Sequence, residues 1–324
     1  MITRRLLLTL LAGMTTLTVT TPALSKQWPQ KPVRVIVPFP PGGLTDGIAR
    51  LMGQRLSESL GQLFVMENMG GAAGAIAAGT VARAPADGYT LFVGSLTQLA
   101  VVPALEDVSY DPVKDFAPVS NIASAPFIFM VNSSVPAKTL KEFVDYVRAQ
   151  PGRITYASAG IGSIAHLSMA LFLKRAGIDM IHVPYKGGAP AITDLVGGHV
   201  AAYFGTRTDA VQQLDAAAIR LLAVSDEKRS IQFPDVPTVA ESGYPGFRTI
   251  TWNGLMAPAG TPKAIIDKLA GEVRRAVKDH AFVQSLANIG VDPIGDSPTE
   301  FAATIAADLP LWAEAVHIAG VKPR

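Results

Sequence analysis

The sequence predicts an α/β fold in two domains, one of which is discontinuous. Short apolar runs alternate with segments of helical hydrophobic period along most of the chain, and two long apolar stretches interrupt this alternation. Such alternation predicts mostly parallel sheets with helices on both faces, because parallel neighbours require crossover connections. We interpret the two interruptions as segments that cross between the domains.

The first α/β unit has a βαβαβ pattern. It begins with a buried strand at 33–39, and apolar residues then recur at helical spacing from Ile48 to Leu60. The remaining elements are a strand at 63–66, an alanine-rich helix at 73–84 and a strand at 89–93.

The same rhythm restarts in the second unit. The predicted helices are 139–150, 163–176, 189–196 and 208–216, and the predicted strands are 154–157, 180–183, 200–204 and 219–224. Two α/β units are therefore expected.

The crossing segments are the apolar stretches 116–136 and 246–262. If the chain leaves the first unit near Ala123 and returns near Asp235, its last helices, 262–286 and 298–318, complete the first unit. The expected domains are then 26–123 with 235–324, and 124–234 as an insertion.

The N-terminus resembles a secretory signal peptide. Arg4 and Arg5 precede an apolar run from Leu6, and small residues follow at 23–25. The run is too short for a membrane-spanning helix. We therefore expect residues 1–25 to be removed on export, by the Sec or the twin-arginine route.

Composition excludes several classes of function. Removal of Arg4 and Arg5 leaves 26 basic and 26 acidic residues, without the basic excess of a nucleic-acid-binding protein. The chain has no cysteine, hence no disulfide or thiolate chemistry. Its five histidines, at 166, 182, 199, 280 and 317, never show the i, i+4 spacing of a helical metal pair. We predict no metal and no cofactor.

The loop at 40–43, Pro-Pro-Gly-Gly, joins the first strand to the first helix. Ligands of open α/β sheets bind where such a loop enters a helix, and the unpaired N–H groups of the first turn favour an anion. The alternative is a tight turn with Thr45 as the helix cap.

The second unit repeats this feature at 154–172, again as strand, glycine-rich loop and helix. Two such loops could face each other across a cleft and hold one small ligand between them. Ser158 and Ser163 offer hydroxyl groups, and His166 either points at the cleft or is a capping or core-edge histidine.

Seven motifs, in this order, resemble the tripartite tricarboxylate transporter receptors, the Bug family. They are WPQKPVRVIVPFPPGGLTD, MENMGGAAGAIAA, ADGYTLFVG, YASAGIGSIAHL, VPYKGGAPAITDLVGGHV, FPDVPTVAESGYPGF and GLMAPAGTP. The resemblance implies a monomeric periplasmic solute-binding protein of the type II-like, Venus flytrap architecture, which closes on a small carboxylate. It further implies delivery of the ligand to a transporter with one large and one small integral membrane subunit.

The resemblance also assigns binding residues to this chain. They are Phe39, Gly42, Gly43, Thr45, Asp46, Ser95 and Thr97 in the first domain, and Ser158, Ser163, His166 and Tyr185 in the second. An ionised Asp46 would repel a carboxylate, so we expect it to hold the loop by accepting backbone N–H bonds. Tyr185 either gives its hydroxyl to the ligand or packs at the cleft wall.

The chain departs from the family after the strand at Val200. Many members resemble Met-Phe-Asp there, whereas this chain reads Tyr203-Phe204-Gly205-Thr206-Arg207. The missing acid disfavours an amino-acid ligand, and Arg207 favours a second carboxylate, with Thr206 beside it. The alternative is a solvated arginine at a helix start.

Two other classes of function stay open from the residues. Serine, histidine and aspartate near the expected cleft allow a hydrolase-like enzyme, but none of the G-x-S-x-G, Walker or G-x-G-x-x-G patterns is present. A ligand-sensing receptor for a signalling partner is the other alternative.

Overall fold

The computed structural model describes residues 28–211, 213, 218–230 and 232–321. The expected signal peptide, 1–25, and the end of the predicted helix 208–216 lie outside the described residues. Within the described part of the chain, no helix combines the length and apolar character needed to cross a bilayer.

The described elements alternate between strands and helices for most of the chain. The strands are β1 Val33–Val37, β2 Phe64–Asn68, β3 Thr90–Ser95, β4 Phe116–Pro126, β5 Ile128–Asn132, β6 Thr155–Ser158, β7 Ile181–Pro184, β8 Ala202–Gly205, β9 Ile219–Val224, β10 Ile250–Pro258 and β11 Asp292–Pro293. The helices are α1 Leu44–Leu60, α2 Ala75–Ala82, α3 Val102–Leu105, α4 Leu140–Arg148, α5 Ile164–Ala176, α6 Gly188–Val196, α7 Arg207–Val211, α8 Lys263–Ala276, α9 His280–Asn288 and α10 Pro298–Ile318.

The first sheet has six strands in the order β11-β4-β10-β3-β1-β2. β1 pairs in parallel with β2 and β3, as the βαβαβ pattern predicts, whereas β10 runs antiparallel to both β3 and β4. Strands from the early and late parts of the chain thus share one sheet, which makes this half of the molecule discontinuous in sequence.

The second sheet has five strands in the order β7-β6-β8-β5-β9. β6 is parallel to β7 and β8, and the crossing strand β5 is antiparallel to β8 and β9. The architecture is therefore a two-sheet α/β fold. Both sheets are mixed rather than mostly parallel, because the crossing segments enter them antiparallel.

Helices cover the sheets with their apolar faces. Ile48, Met52 and Leu56 of α1 are buried, in line with the helical spacing in the sequence. The stripe on α8 is likewise buried at Ile266 and Leu269.

The predicted helix 262–286 is two helices in the structure, α8 and α9. The chain turns after Ala276, and the side chain of Asp279 accepts a hydrogen bond from the N–H of Phe282 at the start of α9. An aspartate at this position is a strong helix N-cap, so it starts a new helix within the apolar periodicity.

The two crossings lie at 126–127 and 249–250. Sequence reasoning places the return near Asp235, whereas the residues before Thr249 lie against the second sheet. Phe247 stacks on Phe204 with ring centroids 6.2 Å apart, and Tyr244 meets Phe172 at 5.3 Å. The return therefore occurs later in the chain than expected.

Ser225 joins the two crossings. Its hydroxyl accepts the N–H of Phe127 at 2.8 Å and donates to the carbonyl of Thr249, and its own N–H donates to the Phe127 carbonyl at 2.9 Å. The side chain is fully buried. One serine thus links both strands at the place where they pass between the halves of the molecule.

Candidate functional site

The loop between β1 and α1 presents an uncapped helix start. Gly42 has φ +88°, a left-handed conformation that favours glycine, and Gly43 is the N-cap residue in an extended conformation without a side-chain cap. The first-turn N–H groups of α1 thus have no capping side chain, and they lie at the positive end of the helix dipole. Phe39, which starts the loop, is half-buried.

Asp46 holds this loop from behind. Its Oδ2 accepts the N–H of Gly42 at 2.9 Å and Nε of Arg50 at 2.8 Å, and its Oδ1 accepts Nδ2 of Asn68 at 2.8 Å. Burial alone would raise the pKa of Asp46, but these hydrogen bonds and the Arg50 charge hold it at about 2. Asp46 thus accepts a backbone N–H bond and holds the loop, as expected. The donor is the N–H of Gly42 in the loop rather than an N–H of the first helical turn.

Asn68 was missed by sequence reasoning, although it fastens the same loop. Its Nδ2 donates to Asp46 and, at 2.9 Å, to the carbonyl of Phe39. Asn68 is the last residue of β2, beside the carboxyl end of β1. A polar residue at the carboxyl end of a predicted parallel strand is the sequence feature that could have identified Asn68 as a site residue.

Thr45 is tied to a crossing strand. Its hydroxyl donates to Oδ1 of Asn253 on β10 at 2.7 Å, and both residues are buried. The hydroxyl proton of Thr45 is therefore used inside the protein, and the start of α1 is attached directly to a strand that leads to the second half of the molecule.

Ser95 and Thr97 surround a buried amide that the sequence did not single out, Gln98. Oε1 of Gln98 accepts the N–H of Ser95 at 3.0 Å and its hydroxyl at 2.8 Å, while Nε2 donates to the Ala73 carbonyl at 2.7 Å. Thr97 begins a π-helical turn and is half-buried. This network fixes the loop after β3 against the segment before α2.

The glycine-rich loop of the second half is built around its own side chains. Oγ of Ser158 lies 2.7 Å from Nε2 of His182 and accepts the Gly160 N–H at 3.1 Å. Ser163 caps α5 by accepting the N–H of His166 at 3.3 Å. These hydroxyls shape the loop, and whether they also contact a ligand stays a prediction.

His166 faces a groove beside α5 rather than the loop of α1. Its ring stacks on that of His182 with centroids 3.9 Å apart, and its Nδ1 accepts the Gly162 N–H at 3.2 Å. Burial, and secondarily the neighbouring His182, lowers the pKa of His166 to about 4. Both imidazoles are therefore neutral at neutral pH, since burial also lowers the pKa of His182.

Tyr185 precedes a second uncapped helix start. Its hydroxyl donates to Oδ2 of Asp194 at 2.6 Å. Gly187, the N-cap residue of α6, has φ +108° and provides no side-chain cap. Because the Tyr185 N–H donates to the Ser158 carbonyl at 3.0 Å, the loops that begin at Ser158 and Tyr185 are joined.

Arg207 is buried, with only 2 % of its surface exposed, which rules out a solvated arginine. Nη1 donates to Oδ1 of Asp292 at 2.8 Å and Nε donates to the Gly290 carbonyl at 3.1 Å, so the side chain bridges the two halves of the molecule. Nη2 is buried and has no partner among the described residues. Thr206 is turned towards its own helix, where its N–H and hydroxyl both donate to Asp209 at 2.8 Å.

A cavity of about 420 Å³ brings the start of α1 and Arg207 together. It lies beside the crossing at 126–127. Its lining residues are Gly42, Gly43, Leu44, Gly47, Ala125, Pro126, Phe127, Thr206, Arg207, Thr208, Thr251, Ile289 and Gly290. An uncapped helix N-terminus and a buried guanidinium thus border one space, and both favour an anion.

Metal ligation is not offered by the described residues, among which no group of three or more histidine, cysteine or acidic side chains could hold an ion.

Comparisons with known proteins identify the family. Residues 48–320 match the model of the tripartite tricarboxylate transporter family receptor. The chain belongs to this family. It is 36 % identical over 303 residues to the protein BugT of Bordetella pertussis, covering 93 % of both chains.

Two similar solved structures contain small carboxylates. The R. palustris Rpa4515 protein with adipate is 37 % identical, with a TM-score of 0.73 and coverage of 92 % of this chain and 100 % of that one. MatC (Rpa3494) from Rhodopseudomonas palustris, with bound malate, is 35 % identical, with a TM-score of 0.68 and coverage of 89 % and 100 %. This receptor is a solute-binding protein and not an enzyme, because its family is one of solute-binding receptors, to which the similar solved structures of the periplasmic binding protein BugD and of a TctC solute binding protein from Polaromonas correspond.

Proposed function

We propose that this receptor captures a small dicarboxylate between its two sheets and delivers it to a tripartite tricarboxylate-type transporter. The proposal rests on the cavity shared by the uncapped start of α1 and Arg207, whose Nη2 has no partner among the described residues.

The start of α1 provides the site for one carboxylate. Its first-turn N–H groups lack a side-chain cap, and they can donate to an anion without displacing an internal partner. The nearby charge of Asp46 is turned inward, where Arg50 pairs with it at 2.8 Å. The repulsion that an ionised Asp46 would exert on the ligand is thereby reduced.

Arg207 provides the site for the second carboxylate. Because Asp292 and Gly290 already occupy Nη1 and Nε, the guanidinium has one N–H-bearing nitrogen left, Nη2. A ligand carboxylate at Nη2 would satisfy a buried donor that has no partner among the described residues. The adipate and malate of the two Rhodopseudomonas palustris receptors are both dicarboxylates, which supports this assignment.

The proposed setting is the periplasm, with residues 1–25 removed on export. The proposed partners are one large and one small integral membrane subunit, and the receptor acts as a monomer. The family match supports this setting. N-terminal sequencing of the mature protein after cell fractionation tests it, and an uncleaved chain in the membrane fraction would contradict it.

Isothermal titration calorimetry tests the binding proposal. Adipate and malate are titrated into the mature receptor, with hexanoate as the six-carbon monocarboxylate control. We expect a dicarboxylate to bind with a lower dissociation constant than hexanoate, without turnover. Absence of binding by both dicarboxylates, or displacement of bound adipate by hexanoate with an affinity equal to that of adipate, would overturn the dicarboxylate assignment.

A further inference from the structure

A second cavity, of about 880 Å³, runs beside α5 and is separate from the space between α1 and Arg207. It lies between two sets of elements. α5, β6 and β7 line one side, and the end of α10 with the residues after it lines the other. Its lining residues are Tyr156, Ile161, His166, Ala170, Leu173, Lys174, Gly177, Ile178, Asp179, His182, His317, Ile318, Ala319, Gly320 and Val321. We call it the α5 groove.

Two buried side chains that line the α5 groove have donor atoms without a partner among the described residues. Tyr156 and His166 are each only 4 % exposed. Since Nδ1 of His166 accepts the Gly162 N–H, the proton of the neutral ring is on Nε2. Neither Nε2 of His166 nor Oη of Tyr156 bonds to a described residue.

Both groups remain neutral donors over the ordinary pH range. Burial raises the pKa of Tyr156 to about 12, and burial lowers the pKa of His166 to about 4. Two neutral donors that line one groove can donate hydrogen bonds to a ligand that has acceptor atoms.

The other lining residues of the groove indicate the chemistry of the rest of the ligand. Its walls include the aliphatic side chains of Leu173, Ile178, Ile318 and Val321, and Lys174 adds an amine. Asp179 is the one carboxylate among the lining residues. The chemistry matches a molecule with an apolar chain and a single carboxylate, and the volume lies within the range of small-molecule sites, about 300–1,000 Å³.

We propose that the α5 groove is a second binding site, which takes a small monocarboxylate with an aliphatic chain. The carboxylate accepts hydrogen bonds from Oη of Tyr156 and Nε2 of His166, and the chain lies along the aliphatic wall.

Hexanoate is the probe, and the side-chain ¹⁵N resonances of the histidines report its position. We expect hexanoate to shift the His166 Nε2 resonance in a saturable way. Tyr156→Phe removes only the hydroxyl, so the dissociation constant from this titration should rise about three- to tenfold, the loss of one hydrogen bond. Tyr146→Phe, on α4 outside the groove, is the matched control and should leave it unchanged.

A further variant separates this site from the one proposed at α1. Gly43→Val alters the α1 loop and should leave the hexanoate-dependent shift of His166 unchanged, whatever its effect on adipate. The groove assignment would be overturned by a His166 resonance that hexanoate does not move, or by equal dissociation constants for Tyr156→Phe and the wild type. A wild-type receptor that binds hexanoate in the groove but does not bind adipate would instead count against the proposed function.

Discussion

Arg207 on α7 and Asp292 on β11 join the two halves of the receptor through a 2.8 Å ion pair beside the crossing at 126–127. The pair leaves Nη2 of Arg207 buried and unpartnered among the described residues, and Arg207 lines the cavity that also contains the start of α1. The same arginine therefore contacts both domains and borders the proposed ligand site.

Replacement of Arg207 by alanine should weaken dicarboxylate binding selectively. Loss of a charge-assisted hydrogen bond in a closed cleft costs roughly 1.5–3 kcal/mol, or about one to two decades in Kd. Calorimetry should show this loss for adipate and a much smaller one for hexanoate. Arg175→Ala, an arginine exposed on α5, is the matched control. Equal losses for both ligands, or none, would return Arg207 to a purely structural role.

Gly43→Val should abolish adipate binding while the protein stays folded. Gly43 has φ −80°, which valine can adopt, and a Cβ there would lie 3.9 Å from the Pro40 carbonyl oxygen, an ordinary contact. The branched side chain would obstruct the approach to the first-turn amides. Circular dichroism checks the fold and calorimetry the affinity. Unchanged affinity for adipate would show that this loop is only a turn.

Ser225→Ala should destabilise the fold by about 1–3 kcal/mol. The hydroxyl is the partner of the Phe127 N–H and the Thr249 carbonyl, and its removal leaves buried polar groups unpaired. Denaturant unfolding measures the change. Ser285→Ala is the matched control, because the Ser285 hydroxyl donates to a carbonyl of its own exposed helix. Similar effects of the two substitutions would contradict the role of Ser225 at the crossings.

Asp296 should make the receptor less stable as pH rises. Burial raises its pKa from 3.8 to about 6, although the Asn121 N–H and Ser120 donate to it. The folded state therefore holds the proton more tightly than the unfolded state, so stability is fully present below pH 3.8 and is lost as pH rises through 6. The loss amounts to up to about 3 kcal/mol.

Asp296→Asn keeps the Oδ1 acceptor for the Asn121 N–H and removes the charge. The unfolding free energy of the variant should increase relative to that of the wild type as the pH rises from 4 to 6. This range is close to the interval from 3.8 to about 6 over which the pKa of Asp296 is raised. Subtracting the two curves removes the contribution of His166, whose lowered pKa acts in the opposite direction. A difference that does not vary with pH would show that Asp296 titrates normally.

The local parts of this structure could be predicted from sequence. The buried strand that ends before the Pro-Pro-Gly-Gly loop and the apolar stripe of α1 are both present, because they depend on short-range hydrophobic period and turn chemistry. Asp279 shows the limit of periodicity alone: the apolar spacing continues past it, but its side chain starts a new helix.

The partners of the site residues could not be predicted in the same way. Arg207 meets Asp292 across 85 positions of sequence, and Thr45 meets Asn253 across 208. Neither Asn253 nor Asp292 has a local pattern that marks it as a partner. Such pairs depend on how the two sheets are placed by the crossing strands, and a single sequence carries no direct record of that placement.

A crystal structure of the mature receptor with adipate tests the dicarboxylate proposal most directly. We expect adipate in the cavity between the halves, with one carboxylate at the first-turn amides of α1 and the other within hydrogen-bond distance of Nη2 of Arg207. Adipate bound away from this cavity, or bound there with both carboxylates remote from Arg207 and from the start of α1, would contradict it.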